Sequence, residues 1–336
     1  MDGKQVSQRL APYNDEFRTL TAVRPLADKI LNLLNTNQTS SGLQTIQEFI
    51  ETSYLLYAEQ HKRASTVKGY RNLYNRQIAA RVSGIRIHSF RTVDAQRLLD
   101  TVAANEELSH RSLIHIKTLL SAVFAYAKRT GVLDTNPIVG TEIPKGRPSE
   151  PTYAYSPDEI KTMLRILKGT ARVAVAVAAY TGLALSELRG LKWEDISEEQ
   201  LTVRRTVWHK VEGPTKTFAR NAPVPLLPIV KRALAEHRKN NPNTAFVFES
   251  YDGRPLDLAT MGSKGIKKSL EGSGVDWHGW HALRRGLATN LHALGVQDKV
   301  IQAILRHSSL AVTMSHYVKS LPAASVDAMK KLERQR

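Results

Sequence analysis

The sequence predicts a mainly helical α+β protein of two domains. Three observations carry this reading. Apolar residues recur at helical spacing along most of the chain, and strand-like segments are short and confined to about 200–248. A Pro- and Gly-rich break, Gly140–Pro151 (GTEIPKGRPSEP), separates two helical regions. At 336 residues, the chain suits two domains of about 100–200 residues each.

Residues 1–44 read as an extension and linker, with Asp28–Leu34 (DKILNLL) as a short helix and Asn35–Gly42 (NTNQTSSG) as a polar connection. Residues 45–143 read as a bundle of four helices. Ile46, Phe49, Ile50 and Tyr54 line the first, and Ser65 is the candidate N-cap of the second, which carries Val67, Tyr70, Leu73 and Tyr74. Thr92 or Val93 precedes the third, with Leu98, Leu99 and Val102 on one face. Ser109 opens the fourth, whose stripe is Leu113, Ile116, Leu119, Leu120, Val123 and Phe124, and Gly131 ends it. Residues 144–152 form the linker.

The second domain, 153–320, begins at Ser156-Pro157-Asp158-Glu159, which combines an N-cap, Pro at the first helical position and a capping-box Glu. Ala171–Tyr180 is apolar nearly all round and predicts a buried helix. Thr202–Trp208 reads as a strand, Ala222–Leu226 as an edge partner bearing two prolines, and Phe246–Phe248 as a further strand. Helices follow near 258–271, 282–294, 297–306 and 310–316. In the tail, 321–336, Ser325–Leu332 predicts a short helix.

Lys and Arg number 48 against 31 Asp and Glu, a net charge of +17, which favours a polyanionic partner, nucleic acid ahead of an anionic membrane. The chain has no cysteine, which excludes disulfide scaffolds, Cys-ligated zinc and thiol catalysis. Its longest apolar stretch, Val173–Tyr180, falls far short of the ~18 residues of a membrane span. The N-terminus lacks the apolar core of a signal peptide. The expected setting is the bacterial cytoplasm, in association with the nucleoid.

Between Glu59 and Asp94 the chain carries no acidic residue but many basic ones. Lys62, Arg63, Lys68, Arg71, Arg76 and Arg81 are the candidate DNA-phosphate contacts, because such cations bind by releasing counterions. Tyr70 and Tyr74 fit a core better than a base-stacking platform.

The region richest in chemistry is His281–Tyr317. His281 and Arg284, three apart on a helix, share a face suited to a phosphate. His307 stands at a loop-to-helix junction, followed by Ser308 and Ser309, and Tyr317 comes ten residues later. The spacing of His281, His307 and His316 fits no familiar zinc pattern, so no metal is expected there, and nothing else in the sequence calls for a cofactor.

The order His-x-x-Arg, Leu-x-His-Ser-Ser, then Tyr resembles the tyrosine recombinase (phage integrase) family. Thr181–Leu188 (TGLALSEL) and Leu191–Ile196 (LKWEDI) resemble that family's first catalytic box. Pro214–Thr217 (PTKT) with Pro223–Leu226 (PVPL) resembles its β-hairpin lysine segment. The similarity spans roughly 45–320 and implies a helical core-binding domain followed by a catalytic domain. It also implies a site-specific DNA recombinase working through a 3′-phosphotyrosyl intermediate and a Holliday junction, in integration or excision of a mobile element. Tyr317 would be the nucleophile, Lys216 the general acid, Arg284 and His307 phosphate ligands, and His281 a base or phosphate ligand. Glu187 would orient the site. The implied partners are duplex DNA with inverted-repeat core sites, further copies of the chain in dimers and tetramers, and accessory DNA-bending proteins. The tail would dock on a neighbouring protomer.

Two positions depart from the family pattern. Arg306 stands where the family usually has Gly, and Ala184 stands where it places its first catalytic arginine. Losing one preorganised charge contact costs roughly 10²–10³ in rate. Ala184 therefore reads as an inactivating substitution, in a chain altered to hold DNA uncleaved ahead of a naturally degenerate enzyme. Arg189 is no obvious replacement, lying about 140° round a helix from 184. A type IB topoisomerase shares the tyrosine chemistry, but the tail and the Thr-Gly-Leu box argue against it. A non-catalytic DNA-binding or architectural protein is the alternative that Ala184 keeps open.

Overall fold

The computed structural model describes residues 19–24, 27–28, 44–106, 108–148, 151–208, 211–215, 218–307 and 309. It divides into two compact units, Met1–Glu150 and Pro151–Arg336. Ahead of the first bundle, residues 20–24 and 27–28 are helical, and the remainder of the Asp28–Leu34 segment lies outside the described residues.

Among the described residues, the first unit is built of helices, with two isolated bridges, Thr45 to Arg86 and Ser109 to Arg147. α1 (Ile46–Phe49) opens on a capping box between Thr45 and Glu48 and runs through a π-turn, Ile50–Tyr54, into α2 (Leu55–His61). α3 (Ala64–Leu73) continues through a second π-turn, Tyr74–Ile78, into α4 (Ala79–Val82). Its N-cap is Arg63 in extended backbone, so Ser65 lies inside the helix and does not cap it. α5 (Thr92–Glu106) and α6 (His110–Arg129) complete the bundle. Ser109 caps α6 by accepting the Ser112 N–H at 3.2 Å. The predicted stripe of α6, Leu113 through Phe124, is buried against Ile46, Phe49 and Ile50. Tyr74 is core, and its hydroxyl donates to Glu51 at 2.7 Å.

The second unit is built on α8 (Gly169–Thr181), buried from Val173 to Ala179 on every side. α7 (Pro157–Ile166), entered through the Ser156–Glu159 capping box, packs on it, as do α10 (Pro228–Asn240) and α13 (Trp280–Ala293). The remaining helices are α9 (Leu185–Gly190), α11 (Leu258–Thr260), α12 (Lys267–Leu270) and α14 (Asp298–Leu305), with a π-turn at Met261–Ile266 between α11 and α12.

Thr202–Trp208 is not one strand. It divides into the end of β1 (Gln200–Thr202) and β2 (Thr206–Trp208), which join two separate antiparallel pairs. β1 pairs with β4 (Pro223–Pro225), with Leu201 opposite Val224, both buried. β2 pairs with β3 (Val211–Gly213), a strand the sequence did not announce. Arg205, at the break, explains the division. Its guanidinium binds buried Asp195 at 2.5 Å, Glu194 at 2.8 Å and Glu212 at 3.3 Å. Phe246–Phe248 is buried but forms only an isolated bridge, Lys192 to Phe246, and no strand.

The segment Tyr153–Tyr155 lies along α13. Arg285 Nε donates to the Tyr153 carbonyl at 2.6 Å, and Asn290 donates to that of Tyr155 at 3.1 Å. Gly286 makes the approach possible, because a Cβ there would sit 2.5 Å from the Tyr155 carbonyl oxygen. Gly286→Ala should therefore destabilise this unit by about 1–3 kcal/mol, read from the urea midpoint.

Candidate active site

α8 ends at Gly182, whose φ of 65° is the left-handed conformation that glycine adopts without penalty. Its missing side chain matters too, since a Cβ would meet Leu305 at 2.9 Å and Leu287 at 3.1 Å. Arg284, on α13 and buried, spans the same junction. Its Nη1 donates to the Gly182 carbonyl and its Nη2 to the Leu305 carbonyl. One guanidinium thus ties the end of α8 to the end of α14. Burial, ahead of the neighbouring Arg220 cation, lowers its pKa to about 9.

Ala184 is the N-cap residue of α9, in extended backbone. Its N–H donates to Glu187 Oε2 at 2.9 Å. Glu187 is 1% exposed and receives two guanidinium groups, Arg220 Nη1 on Oε1 at 2.6 Å and Arg306 Nη2 on Oε2 at 3.0 Å. Burial by itself would raise its pKa. The Arg306 and Arg220 cations more than offset that and hold the carboxyl below its ordinary value.

Arg306 caps α14 with φ 55° and ψ 39°. It is the single non-glycine residue with positive φ among the described residues. Its side chain is 2% exposed, and its Nε and Nη1 have no hydrogen-bond partner among the described residues. His307 follows, buried, with its N–H on the Gln302 carbonyl at 3.1 Å. His281 is exposed at the start of α13. Desolvation by the surrounding chain, then the charges of Arg285, Arg284 and Arg220, push its imidazole below the usual histidine range.

Ala184, Glu187, His281, Arg284 and His307 therefore belong to one neighbourhood of the second unit. Lys216 and Tyr317 lie outside the described residues, as does the tail helix. The Thr215 hydroxyl, just before Lys216, donates to Asn221 at 2.5 Å. Arg189 is spoken for by an ion pair in which its buried guanidinium meets the exposed carboxylate of Asp257. Among the described residues, no group of His, Asp and Glu is placed to hold a metal ion, and no helix is long and apolar enough to cross a membrane.

Sequence reasoning did not select Arg220 or Arg306 as site residues. Two signals were present. Arg306 occupies a position that demands a left-handed backbone, where a side chain needs a reason, and Arg220 lies in an acid-free run, Pro214–Asn221.

The six candidate DNA contacts all lie in the first unit. Lys62, Arg63, Lys68, Arg71 and Arg76 are exposed and Arg81 is half-buried. Arg71 also pairs with Glu59 at 2.5 Å, and Arg81 donates to the Gln77 carbonyl at 2.8 Å. Lys68 and Arg71 lie on α3, Arg81 lies on α4, Lys62 and Arg63 precede α3, and Arg76 is in the π-turn between the two helices.

The profile of the phage integrase family matches residues 155–323. The chain belongs to the phage integrase family of tyrosine recombinases. It is 26% identical over 324 residues to a XerC-like tyrosine recombinase of Caldanaerobacter subterraneus subsp. tengcongensis, covering 86% of this chain and 82% of that protein. An integrase of Streptomyces ambofaciens is 24% identical over 292 residues, 80% of this chain and 74% of the relative. Among solved structures, the Tn1549 transposon integrase in complex with transposon right-end DNA superposes with a TM-score of 0.72 at 20% identity, covering 86% of this chain and all (100%) of the other. A lambda integrase tetramer bound to a Holliday junction gives 0.64 at 18% identity, with 88% and 86% covered. The last two likenesses concern the fold.

The Glu187 pairs make a stability prediction. A carboxyl whose folded pKa lies below its unfolded one stabilises fully above the unfolded value, near 4.5, and loses that contribution as pH falls through the folded value. Glu187→Gln should cost about 3–5 kcal/mol at pH 7, because it leaves buried cations uncompensated. The gap from the parent chain should narrow below pH 4 in urea titrations.

Proposed function

We propose that this chain is a site-specific DNA recombinase that cuts and rejoins duplex DNA through a phosphotyrosyl link. One observation carries the reading. Three guanidinium groups, Arg220, Arg284 and Arg306, converge on a buried site whose central counter-charge is the single carboxylate of Glu187, with His281 and His307 beside it. That surplus of positive charge is complementary to a phosphodiester, and more so to its more highly charged transition state.

In this reading the Tyr317 oxygen forms a bond to the scissile phosphorus while the bond from phosphorus to the 5′ oxygen breaks. The departing 5′ oxygen takes a proton from Lys216, and the tyrosine proton passes to His281. Arg284 and His307 hold the non-bridging oxygens. Phosphodiester is exchanged for phosphodiester, so rejoining needs no outside energy source. His281 suits its task because its lowered pKa leaves it neutral at pH 7, ready to accept a proton.

The first unit supplies non-specific grip on DNA through Lys62, Arg63, Lys68, Arg71, Arg76 and Arg81. Inverted-repeat core sites, dimers and tetramers on DNA, a tail docked on a neighbour, a Holliday-junction intermediate, accessory bending proteins and work at the bacterial nucleoid complete the proposal. The DNA-bound transposon and lambda integrases support it by their likeness of fold. Ala184 favours a second reading, in which the chain is catalytically impaired or serves only to bind and shape DNA.

The test is covalent capture. On a nicked duplex selected for tight binding from a random pool, the chain or its Ala184→Arg variant should leave a protein–DNA adduct on a denaturing gel, and Tyr317→Phe should abolish it. Tight binding with no adduct from either would move the assignment to the second reading. The adduct rate should be flat above about pH 7 and fall up to tenfold per unit below His281's lowered pKa, the sign expected of a base that must be neutral.

A further inference from the structure

Ala184 and Arg306 are two departures from one family pattern, and they meet at one oxygen atom. The Ala184 N–H and Arg306 Nη2 both donate to Glu187 Oε2, at 2.9 and 3.0 Å. Two donors on one acceptor stand within about 6 Å of each other. A guanidinium arriving from the end of α14 therefore stands close to the backbone of Ala184, the position that lacks one.

Three costs are concentrated on Arg306. A left-handed backbone at a non-glycine residue is strained, because its Cβ crowds the following carbonyl. Its cation is 2% exposed and shares its carboxylate partner, Glu187, with Arg220, so the cost of burying it is only partly offset. Its Nε and Nη1 donors find no partner among the described residues, and buried charged donors left so are dearer than neutral ones. Glycine would avoid all three. An anion seated against those donors would offset the last two.

We propose that Arg306 is a catalytic residue that supplies the guanidinium Ala184 lacks, with Nε and Nη1 donating to non-bridging oxygens of the scissile phosphate. Glu187 orients it through Nη2. Arg220 does not fill the same role, because it takes the opposite carboxylate oxygen and balances the charge from the other side. Arg189 is held by Asp257. On this account Ala184 does not disable the enzyme; it clears room for the relocated side chain. The inference rests on the strand-transfer reading above.

The experiment compares the parent chain with Arg306→Gly, Arg306→Lys, Ala184→Arg, and the exchange Ala184→Arg with Arg306→Gly. Glycine suits the left-handed cap, so Arg306→Gly keeps the backbone it replaces. Adduct formation is followed on the selected nicked duplex, and DNA affinity by gel shift. The parent should react. Arg306→Gly should react about 10²–10³-fold more slowly with affinity changed only a few-fold. Arg306→Lys, a point charge without the planar fork, should recover part of the rate. The exchange variant should recover most of it, whereas Ala184→Arg alone should gain nothing, since two guanidinium groups would then crowd one oxygen. A methylphosphonate at the mapped cleavage position, which carries no negative charge to neutralise, should narrow the gap between the parent and Arg306→Gly. A merely structural role would leave that gap unchanged.

Arg306→Gly reacting as fast as the parent would overturn the proposal. So would an inert parent made active by Ala184→Arg. If every variant binds DNA and none forms an adduct, the strand-transfer reading itself fails, a result distinct from the other two.

Discussion

The second unit depends on the buried carboxylate of Glu187. It collects an N–H from the turn at Ala184, a guanidinium from the 218–221 turn and another from the end of α14. These segments lie far apart in sequence, and none would bring a charge into the interior alone. An isolated buried carboxylate would take up a proton, and an isolated buried guanidinium would be pushed toward losing one. Held together, the groups stay ionised, and the pairing still leaves positive charge unspent. A site with that balance is prepared for an anion before the anion arrives, which is where electrostatic catalysis gains most.

Arg284 performs a related task with neutral partners. By donating to the Gly182 and Leu305 carbonyls, it satisfies oxygens that end their helices unpaired and fixes the two helix ends side by side. The apolar packing prepares this contact. α8 is buried all round, Gly182 lets Leu305 approach, and Gly286 lets α13 lie against Tyr155. A small shift in that packing would move the Arg284 guanidinium, so fold stability and site geometry are linked through the same few glycines.

Much of this was legible in the sequence. The stripe from Leu113 to Phe124, the Ser156–Glu159 capping box and the wholly apolar Val173–Ala179 run each rest on local spacing, and each is found where spacing put it. The misreadings share a cause. Thr202–Trp208 looked continuous because its residue types favour a strand throughout, yet an ion network around Arg205 breaks it, and no propensity records such a network. Phe246–Phe248 is apolar because it is buried, not because it pairs. Ser65 is a good capping residue placed two residues past the N-cap, Arg63. Motif order singled out Glu187, His281, Arg284 and His307, which the fold brings into one neighbourhood, but one-dimensional spacing could not reveal that Arg306 bends back to the carboxylate beside Ala184. That contact joins residues 119 apart in sequence.

The most direct test of the account is a structure of the chain on its selected nicked duplex. The account predicts a phosphate oxygen about 3 Å from Arg306 Nε or Nη1, with Nη2 still on Glu187 and the Tyr317 hydroxyl facing the phosphorus. A scissile phosphate held by Arg284 and the histidines alone, with the Arg306 guanidinium turned away from it, would contradict that account.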